Sequence, residues 1–248
     1  MDAGNVMPIL LVFLFGAGLS IAAGLILLVI RLARRNPPVA EPAFVLPAGF
    51  PNERAGFISR PGCWLAVKSN HVLSVQSALG LHNPMPCSWA EGLAGEKGLF
   101  IAPPVRGWIL IIGSGLPDPG EDVDACFRLV LGLSRKLGEV QFFNANRILN
   151  HHAWVRVESG RVVRAYAWAG RTLWLEGERT CAERELGLHC RDYCASDDDS
   201  SFGEGDAIAS NVDRVPLLAA RWSLDPAGID EGFLERERGI AGEPPRRY

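Results

Sequence analysis

No G-x-x-x-x-G-K-[ST] phosphate loop, no G-x-G-x-x-G turn after a strand, no G-x-S-x-G elbow and no H-E-x-x-H helix occurs in the 248 residues. Each absence removes one chemistry that a short motif can encode: triphosphate handling, dinucleotide binding, an elbow-borne serine nucleophile and zinc-dependent hydrolysis. Catalysis as such stays open, because a triad assembles from residues far apart in the chain. A basic stripe is missing too. Lys+Arg 25 against Asp+Glu 28 gives a net charge of −3, and the arginines are dispersed, so no nucleic-acid partner is expected. No sequence feature calls for a cofactor.

Charge is absent altogether from one long stretch, "PILLVFLFGAGLSIAAGLILLVI", residues 8–30. At 1.5 Å per residue, about 23 residues cross a hydrocarbon core of roughly 30 Å, so this run is read as a transmembrane helix whose partner is the lipid bilayer. A cleaved signal peptide needs a basic segment before the apolar run and a small-residue cleavage site after it, and neither is present. The leading flank carries only Asp2, whereas Arg31, Arg34 and Arg35 follow the run. Cationic flanks stay in the cytoplasm. Residues 1–35 therefore read as a single-pass anchor of the cell inner membrane, with the N-terminus outside and the domain cytoplasmic. Gly16, Ser20 and Gly24 fall on one face of that helix, where a second copy could pack closely as a homodimer; the same spacing also arises in spans with no assembly role.

Residues 36–56 hold Pro37, Pro38, Pro42, Pro47 and Pro51, which remove backbone donors and predict an extended linker. An α+β domain is expected over 57–233, with a disordered tail at 234–248. "NHVLSVQSALG" puts Val72, Val75 and Leu79 on one helical face with Asn70 as the cap. "DPGEDVDACFRLVLGLSRKLG" is the clearest helix: Asp118 caps, Pro119 opens the first turn, and Cys126, Val130, Leu133 and Leu137 recur on one side. "GLFIAPP", "GWILIIG", "VQFF", "AWVRVE", "RVVRAYAW" and "TLWLEG" read as strands, the first short or at an edge because of Pro103 and Pro104. "VDRVPLLAARW" is a last helix. Runs of adjacent strands favour an antiparallel sheet with helices packed on one face.

The richest segment is "NHHAWVRVESGRVVRAYAWAG", residues 150–170. A two-residue turn at Ser159-Gly160 would pair Val157 with Val162, setting Val155 opposite Arg164 and Ala153 opposite Tyr166 and so mixing the two faces. The expected register is therefore a three-residue turn, Glu158-Ser159-Gly160, with glycine at the left-handed position; it sets Val155 opposite Val163 and Ala153 opposite Ala165 on one side, with Trp154 opposite Arg164 and His152 opposite Tyr166 on the other. The small face is expected to sit under the 119–137 helix. The large face, His152, Trp154, Arg156, Arg164, Tyr166 and Trp168, has two readings: cross-strand and cation–π pairs that close a sheet surface, or an exposed partner-binding face of hot-spot residue types. Adjacent strand residues point to opposite faces, so His151 and His152 do not share a metal.

"CAERELGLHCRDYC" offers Cys181, His189, Cys190 and Cys194, but C-x₃-C lacks the regular second ligand pair of a structural zinc site. "SDDDSSFGEGD" is oxygen-rich, yet an EF-hand loop beginning at Asp197 needs glycine where Phe202 stands. Neither is read as a metal site. The six cysteines, Cys63 and Cys87 among them, are expected to be reduced thiols on the cytosolic side.

"GWILIIG" (107–113), "LS" (133–134), "FF" (142–143), "RAYAW" (164–168), "EG" (176–177), "ERELGL" (183–188) and "AARWSLDP" (219–226) resemble in order and spacing some bacterial domains of unknown function. Several of those look like immunity proteins of toxin systems. The likeness spans about 120 residues and its motifs are structural, so it transfers no site residue and implies only a binding role. The expectation is a membrane-anchored, cytosol-facing protein-binding domain, with immunity-type neutralisation of a toxin as its most concrete form. The competing expectation is a membrane-tethered hydrolase, which needs a deep pocket where Cys63, His71, His82 or Ser114 converge.

Overall fold

The computed structural model describes residues 61–94, 98–193 and 204–245, and all that follows concerns these. The transmembrane anchor, its Gly16/Ser20/Gly24 face and the proline-rich linker lie outside the described residues. Among the described residues no helix is long and apolar enough to cross a membrane.

Nine strands form one sheet: β1 (Cys63–Lys68), β2 (His82–Cys87), β3 (Leu99–Ile101), β4 (Trp108–Ile112), β5 (Glu139–Asn146), β6 (His151–Glu158), β7 (Arg161–Trp168), β8 (Thr172–Glu176) and β9 (Gly239–Glu243). Their order is β2-β9-β3-β4-β1-β5-β6-β7-β8, and every neighbouring pair is antiparallel. The helices are α1 (Val72–Leu79), α2 (Trp89–Leu93), α3 (Val123–Leu137), α4 (Cys181–Glu185), α5 (Glu204–Ala209), α6 (Asn211–Trp222) and α7 (Glu231–Arg236). The α+β class and the antiparallel sheet are as expected.

The placement of helices is not. α1 and α3 cover one face, burying Leu65, Val67, Ile109, Ile111, Phe142 and Val155. Residues of α2, α6 and α7 contribute to a second core on the other face, over Trp64, Ala66, Leu110, Phe143, Trp154 and Tyr166. Covering on both sides explains why β1 gave no alternating signal: in "CWLAVK" Trp64 to Val67 are all buried, as in any strand with two dry faces. It occupies the centre of the sheet, between β4 and β5.

α3 begins four residues later than the first-turn proline implied. Asp122, not Asp118, caps it by accepting from the Ala125 amide at 2.8 Å. Asp118 instead closes the preceding turn, accepting from Gly120 N at 2.7 Å. The apolar stripe is as read: Cys126, Val130 and Leu133 are buried. In α1 the cap position is His71 rather than Asn70, without a side-chain bond. β3 is short, but it lies inside the sheet between β4 and β9. The segment expected as a disordered tail carries regular structure among its described residues. α7 and β9 fall within 231–243, and β9 is inserted between β2 and β3.

The 150–170 hairpin does not adopt the expected three-residue register: Val155 does not face Val163, nor Trp154 face Arg164. Ser159 (φ 48) and Gly160 (φ 75) both adopt the left-handed region that a two-residue type I′ turn demands. Val157 pairs with Val162, a bulge follows, and Val155 then faces Ala165, Ala153 faces Ala167 and Trp154 faces Tyr166. The bulge moves the pairing by one more residue and so restores the separation of faces that the unbroken two-residue register would have lost. Ala153, Val155, Ala165 and Ala167 lie in the core that α3 covers, as the small face was expected to do.

Candidate functional site

The large hairpin face is not exposed. His152 and Arg164 are 1% exposed, and Trp154 and Tyr166 are fully buried; only Arg156 and Trp168 reach half-burial. The reason lies in residues 177–191, which fold back over β6 and β7. Glu183 of α4 is itself buried, and its Oε1 accepts from both Trp154 Nε1 and Arg164 Nε at 2.8 Å. Its Oε2 accepts from Thr180 N at 2.7 Å and from Thr180 Oγ1 at 2.9 Å, completing a capping box. Arg164 also donates to Gly177 O at 2.9 Å and to Cys190 Sγ at 3.1 Å.

Beside this pair, Tyr166 Oη accepts from Arg191 N at 3.2 Å. Asn211 of α6 donates to His189 O at 2.6 Å and lies 3.1 Å from His152 Nε2. Burial pushes the His152 imidazole down to about 4, Tyr166 up to about 12 and Cys190 up to about 11, the last opposed by Arg164. The network is built from the chain's own groups, with His152 Nδ1 left without a hydrogen bond among the described atoms, and its chemistry is the clamping of α4 and α6 onto the sheet. The exposed-face reading is corrected on this evidence: a partner could touch Arg156 and Trp168, while His152, Trp154, Arg164 and Tyr166 are interior.

The histidines diverge as strand alternation requires: His152 stacks near Trp154 at 5.8 Å between rings, whereas His151 lies against Gly120. Cys181 is exposed beside Arg184, Cys190 is held by Arg164, and Cys194 lies outside the described residues. Among the described residues no three His, Cys, Asp or Glu side chains are placed to hold a metal.

What sequence reasoning missed is a cleft of about 1930 Å³ at one end of the sheet. It forms where β1 begins, β4 and β5 end, and the 113–118 loop turns. Gly113 (φ 143) makes that turn possible: a Cβ there would stand 2.1 Å from the Gly98 carbonyl oxygen, so only glycine lets the loop hug the start of β3. Cys63 and Asn144, direct register partners, line the cleft. Asn144 hydrogen-bonds the Cys63 thiol, while its Oδ1 is buried without a partner. The indole N–H of Trp89, also in the lining, is likewise unpaired.

The lining is acidic. Asp118, Glu121, Glu235 and Glu243 face it, against Arg147 alone among the described residues, and Arg147 is already paired with Asp213 at 2.9 Å. At the rim the β5–β6 turn carries Ile148, 95% exposed, beside the exposed Leu149. Ser114 and Cys63 both line the cleft; His71 and His82 do not. Cys63 is no activated nucleophile, because burial and then the neighbouring Cys126 and Asp118 push its thiol well above the usual range. Among the described residues no imidazole stands in the lining to serve as its base or that of Ser114.

Family models, curated proteins and solved structures yield no match to this chain.

Proposed function

We propose that the protein is a membrane-anchored, cytosol-facing domain that binds a protein partner, with immunity-type neutralisation of a toxin as its most concrete form. The observation that carries the binding role is the end-of-sheet cleft. At about 1930 Å³ it exceeds the roughly 300–1,000 Å³ usual for small-molecule pockets. Its rim bears Ile148 and Leu149, large apolar side chains turned to solvent, which is the kind of surface a partner covers. The binding surface assigned to the 152–168 face accordingly moves to the cleft. The cytosolic side is supported by the Arg31/Arg34/Arg35 flank.

Site-specific photocrosslinking in the native cell tests the reading. A crosslinker at position 148 of the full chain is expected to trap one discrete protein. One at Val163, exposed on β7, is expected to trap none. The same adduct pattern from both positions would overturn the assignment of the cleft as the partner surface.

A further inference from the structure

We infer that the cleft takes a basic, partly apolar stretch of polypeptide in extended form, so that the partner meets this protein through a segment bearing lysine or arginine. The inference rests on the protein-binding reading and names the chemistry of its partner. Three independent features point to it.

The first is charge. Four carboxylates line the cleft against one guanidinium, and that guanidinium is engaged by Asp213. A concave surface of one sign focuses its field and draws in the opposite charge. The same sign repels an anionic lipid surface, which sets the membrane aside as occupant.

The second is a pair of unmet hydrogen bonds. Asn144 is 3% exposed and its Oδ1 has no partner, while its amide group is turned to Cys63. Trp89 is also 3% exposed and its Nε1 has no partner. A buried polar group without a partner is destabilising and rare in folded proteins. One atom is an acceptor and the other a donor, and both belong to residues of the cleft's lining, whose side chains must turn outward for a bound chain to meet them. A peptide group supplies one N–H and one C=O, matching the two, whereas a bare cation or a polyamine supplies donors only.

The third is the apolar lining. Leu93, Leu116, Ile148 and Leu234 share the cleft with its polar groups, so a bound strand, whose successive side chains point to opposite sides, finds both kinds of surface. Asp118 and Glu121 stand on the α3 approach, and Glu235 and Glu243 on the C-terminal elements, so cationic side chains find a carboxylate on either wall.

The test uses the full chain in detergent and three probes: a labelled decapeptide of alternating lysine and leucine, its glutamate-for-lysine counterpart, and spermine. The basic peptide is expected to bind at least tenfold tighter than either, and more weakly as salt rises. Glu121→Gln with Glu235→Gln should weaken it about tenfold, and Asn144→Ala by a further several-fold, with the melting temperature of each variant reporting that the fold persists. If Asn144→Ala fails to fold, Trp89→Phe, which removes only the N–H, takes its place. Equal binding of the acidic peptide, or spermine binding as tightly as the basic peptide, overturns the inference. Failure of all three probes while position 148 still yields its discrete adduct also overturns it and leaves the protein-binding reading standing. Loss of that adduct overturns the reading itself.

Discussion

Replacing Glu183 by alanine probes the clamp that hides the large hairpin face. The carboxylate is 0% exposed and stands 2.8 Å from an Arg164 guanidinium that is 1% exposed. Removing it leaves a buried positive charge unpaired and takes the acceptor from Trp154 Nε1. Breaking a buried pair from one side destabilises by about 3–5 kcal/mol, and the lost capping box at Thr180 adds roughly 1 kcal/mol. Against a total stability of about 5–15 kcal/mol, the change removes a large share. The expected result in urea, followed by tryptophan fluorescence, is a midpoint displaced by an amount worth about 4–6 kcal/mol at pH 7. Glu183→Gln keeps an acceptor but loses the charge, and should fall between wild type and alanine. The double replacement Arg164→Met with Glu183→Leu removes both charges and should be less destabilising than Glu183→Ala alone, because no ion is stranded. A loss below about 1 kcal/mol for Glu183→Ala would refute the argument. It would mean that α4 does not seal the sheet, and that Trp154 and Arg164 are open to a partner after all.

Two further outcomes follow from the packing. His152 titrates near 4 in the folded protein against an ordinary 6.5, so between those values the unfolded chain holds the extra proton. Stability should be complete above about pH 6.5, fall as the pH drops toward 4 and level off below it, by about 3 kcal/mol in all. Urea titrations from pH 7 to 4 on wild type and His152→Gln should differ by that slope; identical slopes would show that another group governs acid sensitivity. Ala165→Leu should overpack the contact between β7 and α3 and lower stability by about 1–3 kcal/mol, and an unchanged melting temperature would mean that the small face has room to spare.

Some of this architecture was legible in the chain alone. α3 announced itself through Cys126, Val130 and Leu133 at helical spacing, since a helix half in water must segregate its side chains. Strand alternation likewise separated Ala153 and Val155 from Trp154 within β6, and Ala165 from Arg164 and Tyr166 within β7; which set of one strand shares a face with which set of the other was decided by the bulge between Arg156 and Val157. Alternation cannot say which set meets water. That was decided by Glu183 and Asn211, which arrive from 29 and 59 residues away in sequence; the apolar face of α6 was legible, but no local pattern says which sheet surface it covers. The cleft was decided in the same way. Cys63, Asn144, Ser114, Trp89 and Glu235 come from five separate segments, and what joins them is the order of strands in the sheet, a property of long-range pairing that no local pattern encodes.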